Sequence, residues 1–176
     1  MSHLRISFFT VIVSLTSTAP AAETATNSRL PEFSWDRIPL YMHIRKATSY
    51  TDEEIEFLAK FPLITFEKAN GHEDHGSVEA GTLIAARAVK EINPNAKILY
   101  YRNVMVHYGG YAANKGLAQI PGGLLEDEKG RTKLVRNRVT AYDLSNADLR
   151  TWWANACSSM TAAPAIDGIF LDGNIK

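Results

Sequence analysis

Apolar runs of strand length alternate with segments of helical period along most of this 176-residue chain. The runs that predict buried strands are 38–44, 63–67, 97–103 and 166–172. Between them, apolar residues recur at spacings of three and four, which is typical of amphipathic helices. This alternation predicts parallel strands joined by right-handed helical crossovers. We therefore expect an α/β fold.

The three predicted helices each begin at a recognisable capping residue. The first begins at a capping box formed by Thr51 and Glu54, whose hydroxyl and carboxylate can satisfy free N–H groups at a helix start. Ser77 is predicted to cap the second helix, and Ser145 the third. These signals fix the order of strands and helices along the chain.

Two architectures share this order: a TIM barrel and a doubly wound open sheet. No Gly-x-Gly-x-x-Gly follows the first strand, where the sequence has Arg45-Lys46-Ala47-Thr48 instead. The usual dinucleotide signature of the doubly wound class is therefore missing. A complete (β/α)₈ TIM barrel usually has about 250 residues. The sequence thus predicts a TIM barrel cut after its fourth strand, with helices on one face of the sheet.

The first residues have the pattern of a signal peptide. Arg5 precedes an apolar run at 6–15, and Ala19-Pro20-Ala21 fits the small-x-small cleavage rule. The run is shorter than the roughly 20 residues that cross a bilayer. We predict a signal peptide at 1–21, a flexible lead-in at 22–32 and the half-barrel at 33–176, with a secreted or periplasmic product that leaves the membrane after cleavage.

The charge balance points to an uncharged or locally charged ligand. Lys plus Arg equals Asp plus Glu at 19 each, so no net field recruits nucleic acid. No cofactor motif is present. The single cysteine, Cys157, excludes an internal disulfide and is predicted to be a buried thiol on a helix face.

A cluster of four polar residues follows the second strand, where residues 72–75 are His-Glu-Asp-His. Its spacing does not match the helical His-Glu-x-x-His zinc motif, and we predict no metal site. A solvated polar loop is the favoured interpretation, with a metal site and a substrate contact as alternatives.

In a parallel barrel the catalytic side chains come from the C-terminal ends of strands. Pleating places Asp172 in the mouth of the barrel, whereas Asp167 lies about 16 Å away at the other end and is predicted to be structural. A strand-end carboxylate suits glycoside hydrolysis, which in most families uses two carboxyl groups. Asp172 is therefore the catalytic candidate. The predicted substrate-binding residues at strand ends and beyond are His43, Glu67, Arg102, Asn103, Tyr108 and Asn174.

The connection 104–144 is long enough to indicate a functional excursion on the same face. Its glycines and the sequence around 128–131 predict a hairpin and its turn. Tyr108 and Tyr111 are candidates for stacking on sugar rings. Trp152 and Trp153 are predicted to be core residues of the third helix.

The runs 124–130, 141–146, 149–153 and 166–172 together resemble a pattern of TIM-barrel glycosidases. The chain is similar, over about 38–174, to the hypothetical TIM-barrel glycosyl hydrolases and the polygalactosaminidase-like group. The resemblance implies an exported glycosidase acting on a polysaccharide or oligosaccharide. It also implies that Asp172 is a nucleophile or acid/base group, while Asp143 serves either chemistry or the start of the third helix.

Three expectations remain open alongside this one. Without later strands the second carboxylate is missing, so the chain alone is expected to lack turnover, and a non-catalytic barrel that binds carbohydrate is the main alternative. Open sheet edges would favour self-association. A polysaccharide deacetylase is the minor alternative, since the Asp-Asp pair of that family is replaced by His43-Ile44-Arg45.

Overall fold

The computed structural model describes residue 31 and residues 33–173. The predicted signal peptide, most of the lead-in at 22–32 and the predicted binding residue Asn174 lie outside the described residues. No helix in the described part is both long and apolar enough to cross a membrane.

The described chain forms a four-stranded parallel sheet, a short two-stranded ribbon and five helices. In chain order the elements are β1 (Tyr41–Ile44), α1 (Asp52–Leu58), β2 (Leu63–Phe66), α2 (His72–His75), α3 (Val78–Ile92), β3 (Lys97–Asn103), α4 (Asn114–Leu117), β4 (Leu134–Val135), β5 (Val139–Thr140), α5 (Ala147–Thr161) and β6 (Gly168–Asp172). The sheet order is β1-β2-β3-β6, and every pairing in it is parallel. The predicted order and direction of the four strands are confirmed.

The first strand is shorter than predicted. It begins at Tyr41 rather than at residue 38, and Ile38 is 86% exposed. Pro39 has no N–H to donate to a sheet ladder, which explains why pairing starts after it. The last strand likewise begins at Gly168, two residues later than predicted.

The three long helices contribute to one core on one face of the sheet, as the sequence predicted. Ile64 and Phe66 of β2 and Ile98 and Tyr100 of β3 point to this outer face and are at most 1% exposed. The helical residues in the same cluster are Ile55, Leu58, Val78, Ala85, Ala86, Val89 and Met160. Burial of this apolar surface is the main term that holds the helices against the strands.

The opposite, inner face carries the alternate residues of each strand. Parallel register pairs His43 with Thr65, Tyr101 with Phe170, and Asn103 with Asp172. The C-terminal ends of all four strands meet at one edge, which we call the mouth. Inner-face side chains near this edge are therefore the ones that can form a site.

Two of the three predicted helix starts are confirmed. Thr51 and Glu54 form the capping box of α1, and Ser77 caps α3. The third prediction is wrong, because α5 is capped by Asn146, whose Oδ1 accepts from the N–H groups of residues 148 (2.9 Å) and 149 (3.2 Å). Ser145 instead donates its hydroxyl to Asp143 in the preceding turn.

The polar segment after β2 is a single helical turn rather than the predicted solvated loop. Gly71 and Gly76 flank this turn with left-handed φ angles of 62° and 75°, which glycine adopts without strain. Asp74 accepts from the Ser49 N–H at 2.6 Å, and His75 Nε2 lies 3.0 Å from the Ser49 hydroxyl oxygen.

These contacts tie the turn to the loop after β1. Within the described residues, no group of three or more His, Cys, Asp or Glu side chains is arranged to hold a metal ion.

The excursion between β3 and α5 has its own secondary structure. The turn predicted near 128–131 is present, closed by a bridge between Glu126 and Thr132. The paired strands of the ribbon come later than predicted, however, in β4 and β5, where Arg136 and Asn137 form the turn with positive φ angles. The sequence did not predict this turn because it contains no glycine, the residue that usually marks positive φ angles.

A close backbone contact holds α3 against the loop after β2. A Cβ atom added to Gly81 would lie 2.4 Å from the Asn70 carbonyl oxygen and 2.6 Å from Gly71 Cα. Only glycine allows the helix to approach the loop this closely.

Candidate functional site

Asp172 ends β6 at the mouth, on the inner face of the sheet. Its Oδ2 accepts hydrogen bonds from the Tyr101 hydroxyl and from Asn103 Nδ2, the latter at 3.0 Å. Among the described residues no side chain donates a hydrogen bond to Oδ1. One oxygen of the carboxylate is therefore held in place while the other is left for a ligand.

Asn103 is itself held in one orientation, and it thereby fixes the position of Asp172 Oδ2. Its Oδ1 accepts from the backbone N–H groups of Met105 (2.9 Å) and Val106 (2.8 Å), so the amide can only present its NH₂ to Asp172. The indole N–H of Trp153 donates to the Asn103 carbonyl oxygen at 3.0 Å. The start of the excursion and α5 thereby position the strand-end carboxylate.

These hydrogen bonds favour the ionised form of Asp172. The Tyr101 hydroxyl has the largest effect and lowers the pKa of the Asp172 carboxyl, with further contributions from Asn103, the Gly173 backbone and the charge of Lys68. Burial opposes this shift. The pKa of Tyr101 is raised, because burial and the adjacent carboxylate disfavour a phenolate. Asp172 is thus an anion at neutral pH.

Lys68 is a part of the mouth that the sequence prediction did not select. Its ammonium group lies 5.1 Å from the ring centroids of both Tyr101 and Tyr108, and it pairs with the carboxylate of Glu67. The predicted residues Glu67 and Tyr108 are therefore joined to Asp172 through the Lys68–Tyr101 contact. The signal for Lys68 was its place directly after a strand-end glutamate.

His43 forms the aromatic side of the inner face. Its ring is 4.9 Å from that of Phe170 and 6.2 Å from that of Tyr101, measured between centroids. The hydroxyl of Tyr41 lies 2.9 Å from His43 Nδ1 and donates to Thr65 Oγ1 at 2.7 Å. His43 is exposed, so it can contact a ligand that enters the mouth.

Arg102, predicted as a binding residue, does not face the mouth. It is the outward neighbour of Asn103 and is 1% exposed, with its guanidinium carbon 4.3 Å from the Tyr111 ring and 5.3 Å from the Trp152 ring. Successive residues of a strand point to opposite faces, so only one of Arg102 and Asn103 can reach the site. The prediction for Arg102 is wrong for this reason.

Several other residues serve the core rather than the mouth. Tyr111, a stacking candidate, is 6% exposed and packs in the outer core. Trp152 and Trp153 pack against a second cluster formed around Leu149, as predicted. Cys157 is buried, also as predicted, and burial raises the pKa of its thiol to about 11.

The two other aspartates of interest have structural contacts. Asp167, at the start of β6, accepts from the Ile98 N–H at 2.8 Å and pairs with Lys90 at 2.8 Å and Lys97 at 3.7 Å. Its predicted structural role at the far end of the sheet is confirmed. Asp143 accepts from the N–H and hydroxyl of Ser145, which shapes the turn before α5.

Barrel-type enzymes place their catalytic side chains at the C-terminal edge of a parallel sheet, and Asp172 lies at that edge of this sheet. The chain is similar to the noncanonic maltogenic α-amylase AmyB of Thermotoga neapolitana, with a TM-score of 0.53, 14% identity, and coverage of 77% of this chain and 39% of the amylase. It is also similar to the xylosidase of Aspergillus niger (TM-score 0.45, 17% identity, 72% of this chain and 19% of the xylosidase). At 14% identity the likeness to the amylase concerns the fold alone.

The sequence comparison is more specific about the family. Residues 90–176 match the family described as hypothetical glycosyl hydrolase family 15, which confirms the resemblance predicted from the sequence for that part of the chain. The match covers β3, the excursion, α5 and β6, and therefore both Asn103 and Asp172. A comparison with curated proteins found no significant match.

Proposed function

We propose that this chain carries the nucleophile side of a glycoside hydrolase site, with Asp172 as the carboxylate that meets the sugar. The observation that carries the proposal is that the two carboxylate oxygens of Asp172 differ in their contacts. Tyr101 and Asn103 donate hydrogen bonds to Oδ2, and no described side chain donates to Oδ1. The match of residues 90–176 to a glycosyl hydrolase family supports it.

The chemistry follows from the ionised state of Asp172. In a retaining reaction Oδ1 attacks the anomeric carbon as the bond to the leaving oxygen breaks, and a second carboxylic acid protonates that oxygen. Water then attacks the glycosyl ester and releases Asp172. In such a pair of carboxyl groups the proton donor needs a raised pKa, whereas the nucleophile must be ionised. The lowered pKa of Asp172 therefore suits the nucleophile.

We further propose that the four-stranded sheet is one sector of a (β/α)₈ barrel. The one-sided packing of α1, α3 and α5 supports this architecture, because a doubly wound sheet places helices on both faces. The likeness to the amylase, which covers 39% of that protein, also supports it. In such a barrel the mouth defined here would be half of the active-site rim.

Binding without turnover is the second candidate function for this chain. It is favoured by the state of Glu67, the other strand-end carboxylate of the described residues, which is held in an ion pair by Lys68. A carboxylate that contacts the Lys68 ammonium is already occupied and is not free to approach a leaving-group oxygen. We therefore expect the chain to bind a sugar ligand at Asp172 and to show no turnover by itself.

The proposal can be tested with iminosugars, whose protonated ring nitrogen mimics the charge of the glycosidase transition state. The full chain and Asp172→Asn would be titrated by calorimetry with a panel of gluco-, galacto- and manno-configured compounds. We expect at least about a tenfold loss of affinity in Asp172→Asn, because one charge contact of about 1.4 kcal/mol is removed while the shape is kept.

Asp143→Asn is the matched control, since Asp143 is a carboxylate whose hydrogen bonds serve a turn. Equal iminosugar affinity in the wild type and Asp172→Asn would remove Asp172 from the site. A panel of aryl glycosides distinguishes the two functions: turnover lost in Asp172→Asn and reduced in Glu67→Gln would make the chain a hydrolase with Glu67 as the second carboxylate.

We also propose that the chain is exported and acts on a carbohydrate in the periplasm or outside the cell. The signal-peptide pattern at 1–21 supports this. N-terminal sequencing of the chain after expression in a bacterial host should give a new terminus at residue 22. Retention of Met1 in the cytoplasm would contradict it.

A further inference from the structure

A serine and a histidine meet beside the helices α1 and α3. Ser49 lies in the loop after β1, His75 ends the turn α2, and the Ser49 hydroxyl oxygen is 3.0 Å from His75 Nε2. With the ring proton on Nδ1, the hydroxyl donates to a basic nitrogen. A hydroxyl within hydrogen-bond reach of an imidazole is the arrangement by which enzymes turn a serine into a nucleophile.

The two side chains line a cavity of about 230 Å³. Both are half-buried, so they are accessible from the cavity and partly shielded from water. The apolar residues that line the same cavity come from the two helices and are Ile55, Ile84, Ala85 and Ala88. An apolar cavity with a few polar groups at one side is typical of a small-molecule site, and this one suits a short hydrocarbon chain.

Asp74 adds a negative charge beside the pair. Its Oδ2 accepts from the Ser49 N–H at 2.6 Å, and hydrogen bonds from the backbone and the hydroxyl of Ser49 lower the pKa of the Asp74 carboxyl. The Ser49 hydroxyl thus has two acceptors within reach, of which an imidazole is the stronger base. The ionised Asp74 also favours a positive charge on His75, so it stabilises the imidazolium that forms when the histidine takes a proton.

A backbone donor follows Ser49 directly in the chain. The N–H of Tyr50 donates to no group among the described residues, and Tyr50 lines the same cavity. The Tyr50 hydroxyl donates to Asn70 Oδ1 at 2.7 Å, which holds this residue in place. The N–H after a nucleophilic serine is a frequent member of an oxyanion hole, where it stabilises the negative oxygen of the tetrahedral intermediate.

We propose that Ser49 and His75 form a second site, which hydrolyses esters of short carboxylic acids. The Ser49 oxygen attacks the ester carbonyl carbon while His75 Nε2 takes the hydroxyl proton, and the alcohol then leaves with that proton as the acyl-serine forms. Water attacks the acyl-serine with His75 again as the base, which releases the carboxylic acid and restores Ser49. This site shares no residue with the mouth and does not depend on the proposed glycoside hydrolase function.

The test is the reaction of the full chain with a fluorophosphonate, which transfers its phosphonyl group to an activated serine oxygen with loss of fluoride. We expect mass spectrometry to find the phosphonyl group on the peptide that contains Ser49. We also expect hydrolysis of para-nitrophenyl acetate and butyrate in preference to the decanoate, because the cavity has room for a short acyl chain only. Ser49→Ala should remove both the label and the hydrolysis.

The two histidines of α2 provide a matched pair of variants. His75→Gln should slow both reactions by at least about a hundredfold, because the general base is lost. His72→Gln should react like the wild type, since His72 Nδ1 lies 2.9 Å from the Ala69 carbonyl oxygen and does not contact Ser49. Asp172→Asn should also retain the esterase activity, which separates this site from the mouth.

Labelling of the wild-type chain does not depend on the folding of any variant. Absence of the phosphonyl group from Ser49 in folded wild-type chain would overturn the proposal and leave the contact with His75 as a structural tie between the turn and the loop. Ester hydrolysis that persists in Ser49→Ala, or labelling at the wild-type rate in His75→Gln, would equally overturn it.

Discussion

Asn103 Nδ2 donates to Asp172 Oδ2 across 3.0 Å, and the two residues are also register partners in neighbouring parallel strands. The amide cannot turn over, because its oxygen already accepts from two backbone N–H groups at the start of the excursion. The direction of the strand-end carboxylate is therefore set by the chain segment that leaves β3.

The first prediction concerns the charge of Asp172. Tyr101→Phe should raise the pKa of the Asp172 carboxyl toward its ordinary value, because the phenol hydroxyl is the largest cause of the lowered pKa. Carboxyl ¹³C chemical shifts followed against pH would measure it. Tyr41→Phe is the control, since that hydroxyl bonds Thr65 and leaves Asp172 untouched. An unchanged Asp172 titration in Tyr101→Phe would show that this hydrogen bond is absent in solution.

A second prediction links the same group to stability. A carboxyl whose folded pKa is lowered stabilises the protein above its unfolded pKa and loses that contribution as the pH falls through the folded pKa. The free energy of unfolding of the wild type should therefore fall relative to Asp172→Asn as the pH drops below about 4. Urea titrations at several pH values measure the difference. If the wild type instead became more stable relative to Asp172→Asn as the pH fell, the pKa of Asp172 would not be lowered in the folded state.

The third prediction concerns the contact between α3 and the loop after β2. Gly81→Ala should destabilise the fold by about 2 kcal/mol or more, because the new Cβ would lie 2.4 Å from the Asn70 carbonyl oxygen. Gly109→Ala makes the same chemical change where no atom lies within 4 Å. Denaturant unfolding should leave this control close to the wild type. Equal stability of the two variants would mean that α3 packs differently.

The fourth prediction distinguishes the structural role of Asp167, which precedes β6, from the proposed ligand-binding role of Asp172. Asp167→Asn should lower stability by about 2 kcal/mol, because partly buried Lys90 and Lys97 lose their counter-charge, and it should leave iminosugar affinity unchanged. Asp127→Asn, which breaks the pair with Arg131 (73% exposed), should change stability much less, because solvent screens an exposed ion pair. A loss of ligand affinity in Asp167→Asn would place it nearer the site than the sheet register does.

The fifth prediction tests the start of α5. Asn146→Ala should destabilise the protein by about 1 kcal/mol, because the N–H groups of Asp148 and Leu149 lose their cap. Ser145→Ala should have a smaller effect, since the Ser145 hydroxyl bonds only the turn aspartate. Thermal unfolding of both variants decides the matter. The opposite ranking would restore Ser145 as the cap.

The strands and helix caps that depend on neighbouring residues could be predicted from the sequence. The strand 97–103, the capping box at Thr51 and the cap at Ser77 depend on apolar runs and on side-chain oxygens a few residues away, and the structure confirms each. The single turn at 72–75 was not readable in this way. It is held by Ser49, more than twenty residues earlier, so no local pattern announces it.

The sequence by itself determined that Arg102 and Asn103 face opposite sides of a strand, and that Asp172 and Asp167 do the same, because alternation is a property of any extended chain. Only the tertiary structure decided which member of the first pair reaches the mouth. Burial of an arginine is unfavourable by sequence rules, yet here the excursion and α5 cover it with Tyr111 and Trp152. Asn103 is left to orient Asp172, because its amide can bond both the departing backbone and the carboxylate, and that choice depends on contacts between segments far apart in the chain.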